Sequence, residues 1–222
     1  MDPTPVWLSL KLASVTTLVL LLLGTPLAWW LARGRSWLRA PIEALVVLPV
    51  VLPPTVLGFY LIVLLGRAGP LGGFFQSLDI QPIFSFSGLV VGSVVFSLPF
   101  VVYPLKNAFE RVPQGQLEAA AMLGAGPLDR FFTVAVPLSA SGFIAAAVLG
   151  FAHTIGEFGV VLMVGGNIPG ETQVLSIAIY NHVEQLQYGP AHVLSAGLVA
   201  LSFLVLVVLY VVDRNRRGRL AK

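Results

Sequence analysis

Two ionisable residues stand apart from every other charge in the chain. His153 and Glu157 lie in Phe151-Ala-His-Thr-Ile-Gly-Glu-Phe-Gly159, within a long apolar stretch. Four residues apart in a helix, they share a face. They could bond to one another structurally, hold two helices together, or stand at a gate on a solute path. A second group is chemical through what it removes. Pro49, Pro53 and Pro54 fall in Leu48-Pro-Val-Val-Leu-Pro-Pro-Thr55, where each proline takes away a backbone donor and clashes with the preceding turn. The freed carbonyls need partners in neighbouring helices, in hydroxyls such as Thr55, or in water lining a cavity. This segment is either a bent packing helix or the wall of a solute path, and Pro99 and Pro104 further on add weight to the path. Other chemistry is missing. With no cysteine there is no disulfide or thiolate metal site. There is no G-x-x-x-x-G-K-S/T phosphate loop, and the lysines are Lys11, Lys106 and Lys222 alone, so the chain does not hydrolyse ATP by that chemistry. His153 with Glu157 is too small a set to name a reaction, so no catalytic residue and no metal ligand is assigned.

The elements that carry these residues follow from composition. Of 222 residues, 57% are hydrophobic and 10% are charged, against about 25% charged in an ordinary soluble domain. The mean hydropathy is +0.90. Charges are absent between Lys11 and Arg33, Glu43 and Arg67, Asp79 and Lys106, Arg130 and Glu157, and Glu184 and Asp213. Crossing a bilayer takes about 20 apolar residues in a helix, so these gaps predict an all-α polytopic membrane protein. Its five transmembrane helices are placed near 10–32, 45–65, 86–105, 139–163 and 193–212. Buried helices of a soluble protein would need polar outer helices around them, and the chain has none.

Basic residues set the orientation. Arg33, Arg35 and Arg39, then Lys106, Arg111 and Arg130, then Arg214, Arg216, Arg217, Arg219 and Lys222 fall on one side of a five-span chain, eleven of the thirteen Lys/Arg. The N-terminus is expected in the periplasm and the C-terminus in the cytoplasm, with the basic tail 214–222 against anionic lipid rather than nucleic acid. In the first span the arginines follow the apolar run, which marks a retained span and not a cleaved signal peptide. Counting about 1.5 Å per residue from Ser139, Glu157 sits about 27 Å along the fourth span, near the outer interface. Gly150, Gly156 and Gly159 would allow close packing there.

The cytoplasmic segment 106–138 is patterned. Gln116-Leu-Glu-Ala-Ala-Ala-Met-Leu123 is rich in helix formers, Gly124 stops it, and Pro127 suits the first position of a second helix with Leu128, Phe131 and Phe132 on one face. The result is a hairpin that either lies on the membrane surface or docks a soluble partner. Without a phosphate loop or a chain of carboxylates in the spans, energy for transport would enter through this hairpin.

Here the sequence resembles a known family. Glu118-Ala-Ala-x-x-x-Gly124, nine residues, then Val134-Ala-Val-Pro137 is similar to the E-A-A-x3-G-x9-I-x-L-P loop of bacterial ABC-importer permease subunits, with valine for Ile and for Leu. Thr25-Pro-Leu-Ala-Trp29, Ala32-Arg-Gly-Arg35, Leu48 to Thr55 and Gly156-Glu-Phe-Gly159 resemble the molybdate and sulfate permeases. Gly165-Gly-Asn-Ile-Pro-Gly170 and Ser176-Ile-Ala-Ile-Tyr180 resemble the molybdate branch. The likeness runs from about Leu10 to Asp213. It implies the transmembrane domain of a type I ABC importer over 10–213, including a coupling hairpin at 113–138, in the bacterial inner membrane. Some relatives carry an extra N-terminal span, for which the stretch before Trp7 has no room.

The resemblance further implies a homodimer, two copies of a cytoplasmic ABC ATPase that carry the ATP and Mg, and a periplasmic molybdate-binding protein. No cofactor is expected on this chain. Glu118, Ala119, Ala120, Gly124, Pro127, Asp129 and Pro137 would couple to the ATPase. Pro53, Pro54, Thr55, His153 and Glu157 are the candidates for the path or gate. An oxyanion path favours hydroxyls, backbone N–H groups and helix N-termini over carboxylates. Competing expectations are the same machinery for sulfate or tungstate, and an ATP-independent secondary transporter or channel, which would show inverted repeats that are not evident.

Overall fold

The computed structural model describes residues 2–77 and 81–220, with the side chains of all these but Gln76, Leu209 and residues 212–220. Among the described residues about 80% are helical and there is no strand.

Three helices form the centre. The first, α1 (Thr4–Arg33), starts behind Asp2, whose carboxylate accepts from the Thr4 N–H at 2.9 Å. It ends where Gly34 turns out of the helix. The helix therefore starts six residues before the span expected at 10–32, because the apolar run already begins at Pro5-Val-Trp. The long α5 (Phe86–Glu110) is capped by Ser85, whose Oγ accepts from the Gly88 N–H, and it stays one helix through Pro99 and Pro104. The third, α9 (Ala140–Gly156), packs on both. Small residues bring their backbones together. A Cβ built on Gly142 would lie 2.3 Å from Ala108 Cβ, and one on Gly150 would lie 2.6 Å from Val101 Cγ2. Leu20, Ala28, Leu31, Val101, Val102, Leu105, Phe109 and Ala146 fill the core between them. Gly156 has nothing within 4 Å of its added Cβ, so it takes no part in close packing.

The second span is not one kinked helix over 45–65. It is two, α2 (Arg39–Val51) and α3 (Pro54–Leu65), bent by 115°. The reason is local. Pro49 is tolerated inside α2, but Leu52 precedes Pro53 and is pushed to an extended ψ of 141°. Two consecutive prolines then remove two donors at the same place. A short α4 (Gly72–Ser77) follows.

The hairpin comprises α6 (Gln114–Met122), α7 (Pro127–Arg130), a π turn (Phe131–Ala135) and α8 (Val136–Leu138), which bends by 72° into α9. The second arm is thus not one regular helix. The fourth span, expected at 139–163, stops at Gly156, and α10 (Gly159–Gly165) begins after a break at Glu157 and Phe158. Then come α11 (Leu175–Glu184) and α12 (Tyr188–Leu220). The last helix starts before, and runs past, the expected 193–212, and its backbone continues through the arginines of the tail. The tail side chains, with Ala221 and Lys222, lie outside the described residues.

Three helices are long and apolar enough to cross a membrane, and up to five spans result if each bent pair counts as one. Much of the apolar surface faces outward. Leu45, Val51 and Phe59 on α2 and α3, and Val199 and Phe203 on α12, are each more than half exposed. Such a surface requires lipid or another apolar chain.

Candidate functional site

The hairpin is built by local chemistry. After α6 the Gly124 N–H donates to the Ala121 carbonyl and Ala125 N–H to the Ala120 carbonyl. The backbone reverses at Gly124 with φ +89°, a conformation that a side chain resists and glycine does not. Pro127 opens α7 behind Gly126. One face of the hairpin is anchored. Leu117, Val112 and Ala135 are buried together against Trp29, Phe131 and Val134. Trp29 of α1 lies edge-on to Phe109 of α5 and to Phe131 of the π turn, each at 5.2 Å, and Phe109 meets Phe143 of α9 at 5.8 Å. The hairpin is thereby packed onto α1 and α5, and Phe109 carries the contact on to α9.

The other face is open. Met122 and Leu123 are each 89% exposed and Leu128 is 75% exposed. Glu118, Ala119, Gly124, Pro127, Asp129 and Pro137 are exposed as well, and Ala120 is partly so. Large apolar side chains grouped at a turn and rimmed by carboxylates have the make-up of a protein-docking surface.

His153 and Glu157 do not pair. Glu157 is not on α9 at all, because the helix ends at Gly156 and the shared face expected from their spacing does not exist. Its Oε1 instead accepts from the Val160 N–H at 2.7 Å and the Val161 N–H at 3.3 Å, capping α10. Its carbonyl accepts from Ser176 Oγ at 2.6 Å, which ties the break to α11. Glu157 Oε2 is buried and has no partner among the described residues. His153 turns toward α5, with Nδ1 3.0 Å from Ser97 Oγ and its ring stacked on Phe100 at 3.8 Å. Ser97 also meets Thr154 Oγ1 at 3.0 Å.

The two broken spans meet. A Cβ on Gly159 would lie 2.6 Å from Pro54 Cβ, and one on Gly58 would lie 2.5 Å from Met163 Cβ. Pro53, Pro54 and Thr55 are therefore next to the break that holds Glu157, with Pro53 and Thr55 exposed. His153 belongs to a different cluster on the α5 side. Thr16 and Thr17 of α1 and Ser93 of α5 are buried hydroxyls with no partner among the described residues, and the sequence gives no signal of them because serine and threonine are unremarkable one at a time. No group of three or more metal-ligating side chains exists among the described residues.

A family model described as "binding-protein-dependent transport system inner membrane component" matches residues 24–218. The molybdenum transport system permease protein ModB of Azotobacter vinelandii is 57% identical over 98% of this chain and 96% of its own length. The sulfate transport system permease protein CysT of a Synechocystis species is 33% identical over 84% of this chain and 65% of its own length. A solved structure of the MetNI methionine ABC transporter, in an inward-facing conformation, has a chain that superposes with a TM-score of 0.73 at 20% identity, covering 95% of this chain and 94% of that one.

Proposed function

Because the chain belongs to the family of inner membrane components of binding-protein-dependent transport systems, we propose that it is the membrane-spanning subunit of an ATP-driven importer of molybdate. The observation that carries this is the 57% identity to a molybdenum permease along 98% of the chain. Sulfate is the weaker alternative, since the sulfate relative shares 33% and is itself longer than the matched part.

The working unit is a homodimer of this subunit in the bacterial inner membrane, with two ABC ATPase subunits in the cytoplasm and a molybdate-binding protein in the periplasm. Each subunit crosses five times, α2 with α3 counting as one span and α9 as another beside the hairpin, with the N-terminus outside and the C-terminus inside. ATP and Mg stay on the ATPase, and this chain performs no hydrolysis. The exposed hairpin face meets the ATPase through Glu118, Ala119, Ala120, Gly124, Pro127, Asp129 and Pro137. Closure of the ATPase pair pulls on that face. Aromatic packing of Trp29, Phe109, Phe131 and Phe143 passes the displacement to α1, α5 and α9, which move as packed bodies. On the path, the α3 N-terminus at Pro53, Pro54 and Thr55 offers a hydroxyl and a backbone donor to an oxyanion. Glu157 caps the break opposite, and His153 stands beside the hydroxyls of Ser97 and Thr154.

The test is reconstitution of this chain with an ABC ATPase and a periplasmic binding protein in liposomes. ATP-dependent accumulation of labelled molybdate, in excess of sulfate at equal concentration, is expected. Accumulation of sulfate alone would replace the substrate, and uptake by the chain without ATPase would replace the reading with a stand-alone carrier.

A further inference from the structure

The hairpin is held by more than apolar packing. Arg33, the last residue of α1, reaches across to the far end of α5 and the start of α6. Its Nη2 donates to the Phe109 carbonyl at 2.8 Å and to the Val112 carbonyl, and its Nη1 donates to Gln114 Oε1 at 3.0 Å. Gln114 turns its other amide atom outward, where Nε2 donates to Glu118 Oε1 at 3.3 Å. The guanidinium also lies 5.7 Å from the Trp29 ring. These acceptors are 76 to 81 residues away in sequence.

Each partner has a physical reason to be there. The Phe109 carbonyl lies in the last turn of α5 at the negative end of the helix dipole, where it accepts from the Val112 N–H at 3.2 Å and keeps a second lone pair for Arg33. A planar guanidinium can serve several acceptors at once, which a lysine ammonium does less rigidly. The Gln114 amide has an acceptor for Arg33 and a donor for Glu118, so it relays between them. Glu118 is exposed on the hairpin and Arg33 is half-buried in the core.

We propose that Arg33 is a positioning residue for coupling, fixing the hairpin to α1 and α5 so that displacement of the Glu118 face moves the membrane helices instead of flexing the link at Val112 and Pro113. The proposal rests on the reading of this chain as an ATP-driven permease.

Two readouts test it. Full transporter in liposomes is compared as wild type, Arg33→Gln, Arg33→Lys and Gln114→Leu, with molybdate moved per ATP hydrolysed as the measured ratio. Loss of general stability would lower uptake and hydrolysis together and leave their ratio unchanged. The expected result is a fall in the ratio of about tenfold for Arg33→Gln, with hydrolysis retained, a smaller fall for Arg33→Lys, and about threefold for Gln114→Leu. Should Arg33→Gln fail to assemble, Gln114→Leu decides, because it leaves both backbone contacts of Arg33 in place. An unchanged ratio in the assembled variants overturns the proposal.

The second readout needs neither ATP nor molybdate. The chain has no cysteine, so Ser36→Cys with Gln116→Cys, in a dimer where only one subunit carries the pair, gives one spin-label pair across the link. The distance distribution should be narrow with Arg33 present and broad with Arg33→Gln, and equal widths overturn the proposal. A narrow wild-type distribution in a chain that shows no ATP-driven uptake would instead count against the permease reading.

Discussion

The closest contact among the central helices gives the sharpest test of the fold. Gly142 of α9 faces α5 so tightly that an alanine methyl there would lie 2.3 Å from Ala108 Cβ and 3.0 Å from the Pro104 carbonyl oxygen. Carbon atoms rest at about 3.5–4.0 Å, so the contact is short by more than about 1 Å. Neither neighbour can step aside. Ala108 Cβ is fixed to the backbone, and the Pro104 oxygen is backbone itself. Relief requires α5 and α9 to separate, which also loosens Phe109 against Phe143 nearby. Overpacking of this kind costs about 1–3 kcal/mol. For a chain of this size each kcal/mol moves the melting temperature by about 2–4 °C. Gly142→Ala should therefore melt about 4–8 °C lower in detergent, for a mid-range cost of about 2 kcal/mol. Gly156→Ala is the control on the same helix, since its methyl meets nothing within 4 Å. It should leave the melting temperature unchanged or raise it slightly, alanine being the better helix former. Equal melting temperatures for the two variants would refute the close approach of α5 and α9, and with it the rigid connection between hairpin and core.

Other outcomes follow from single contacts. Glu157→Ala removes the cap of α10 and should cost about 0.5–2 kcal/mol, and hydrogen exchange at the Val160 and Val161 amides should accelerate while the amides of α5 stay protected. Gly124→Ala forces a side chain into the φ +89° turn at about 1–2 kcal/mol, and should reduce ATP-dependent uptake more than it reduces the melting temperature. Met122→Asp with Leu123→Asp places charges on side chains that are already 89% exposed. Melting should be unaffected, while co-purification with the ATPase subunit should be lost, and retained co-purification would remove this face from the docking surface.

Some of this was legible in the sequence because its causes are local. Membrane residence follows from charge-free stretches that no soluble fold could cover. The hairpin is written in adjacent residues, with helix formers up to Leu123, a glycine that alone takes the positive φ comfortably, and Pro127 to start the next helix. The proline break was legible as a disturbance, though its 115° extent was not, because the bend also depends on α3 packing against α10 through Gly159 and Met163. The spacing of His153 and Glu157 misled, since it assumed a helix continuing past Gly156.

By itself the sequence determined that the chain is helical, apolar enough for a membrane, punctuated at Pro53 and Gly124, and lacking a G-x-x-x-x-G-K-S/T phosphate loop. These follow from composition and from turn chemistry acting over a few residues. Tertiary structure alone decided that Glu157 caps α10, that His153 bonds Ser97 across 56 positions, and that Arg33 reaches Phe109, Val112 and Gln114. In membrane helices nearly every face is apolar, so periodicity does not say which face turns inward. That choice is made by the packing of small residues and by the need of each buried polar atom for a partner.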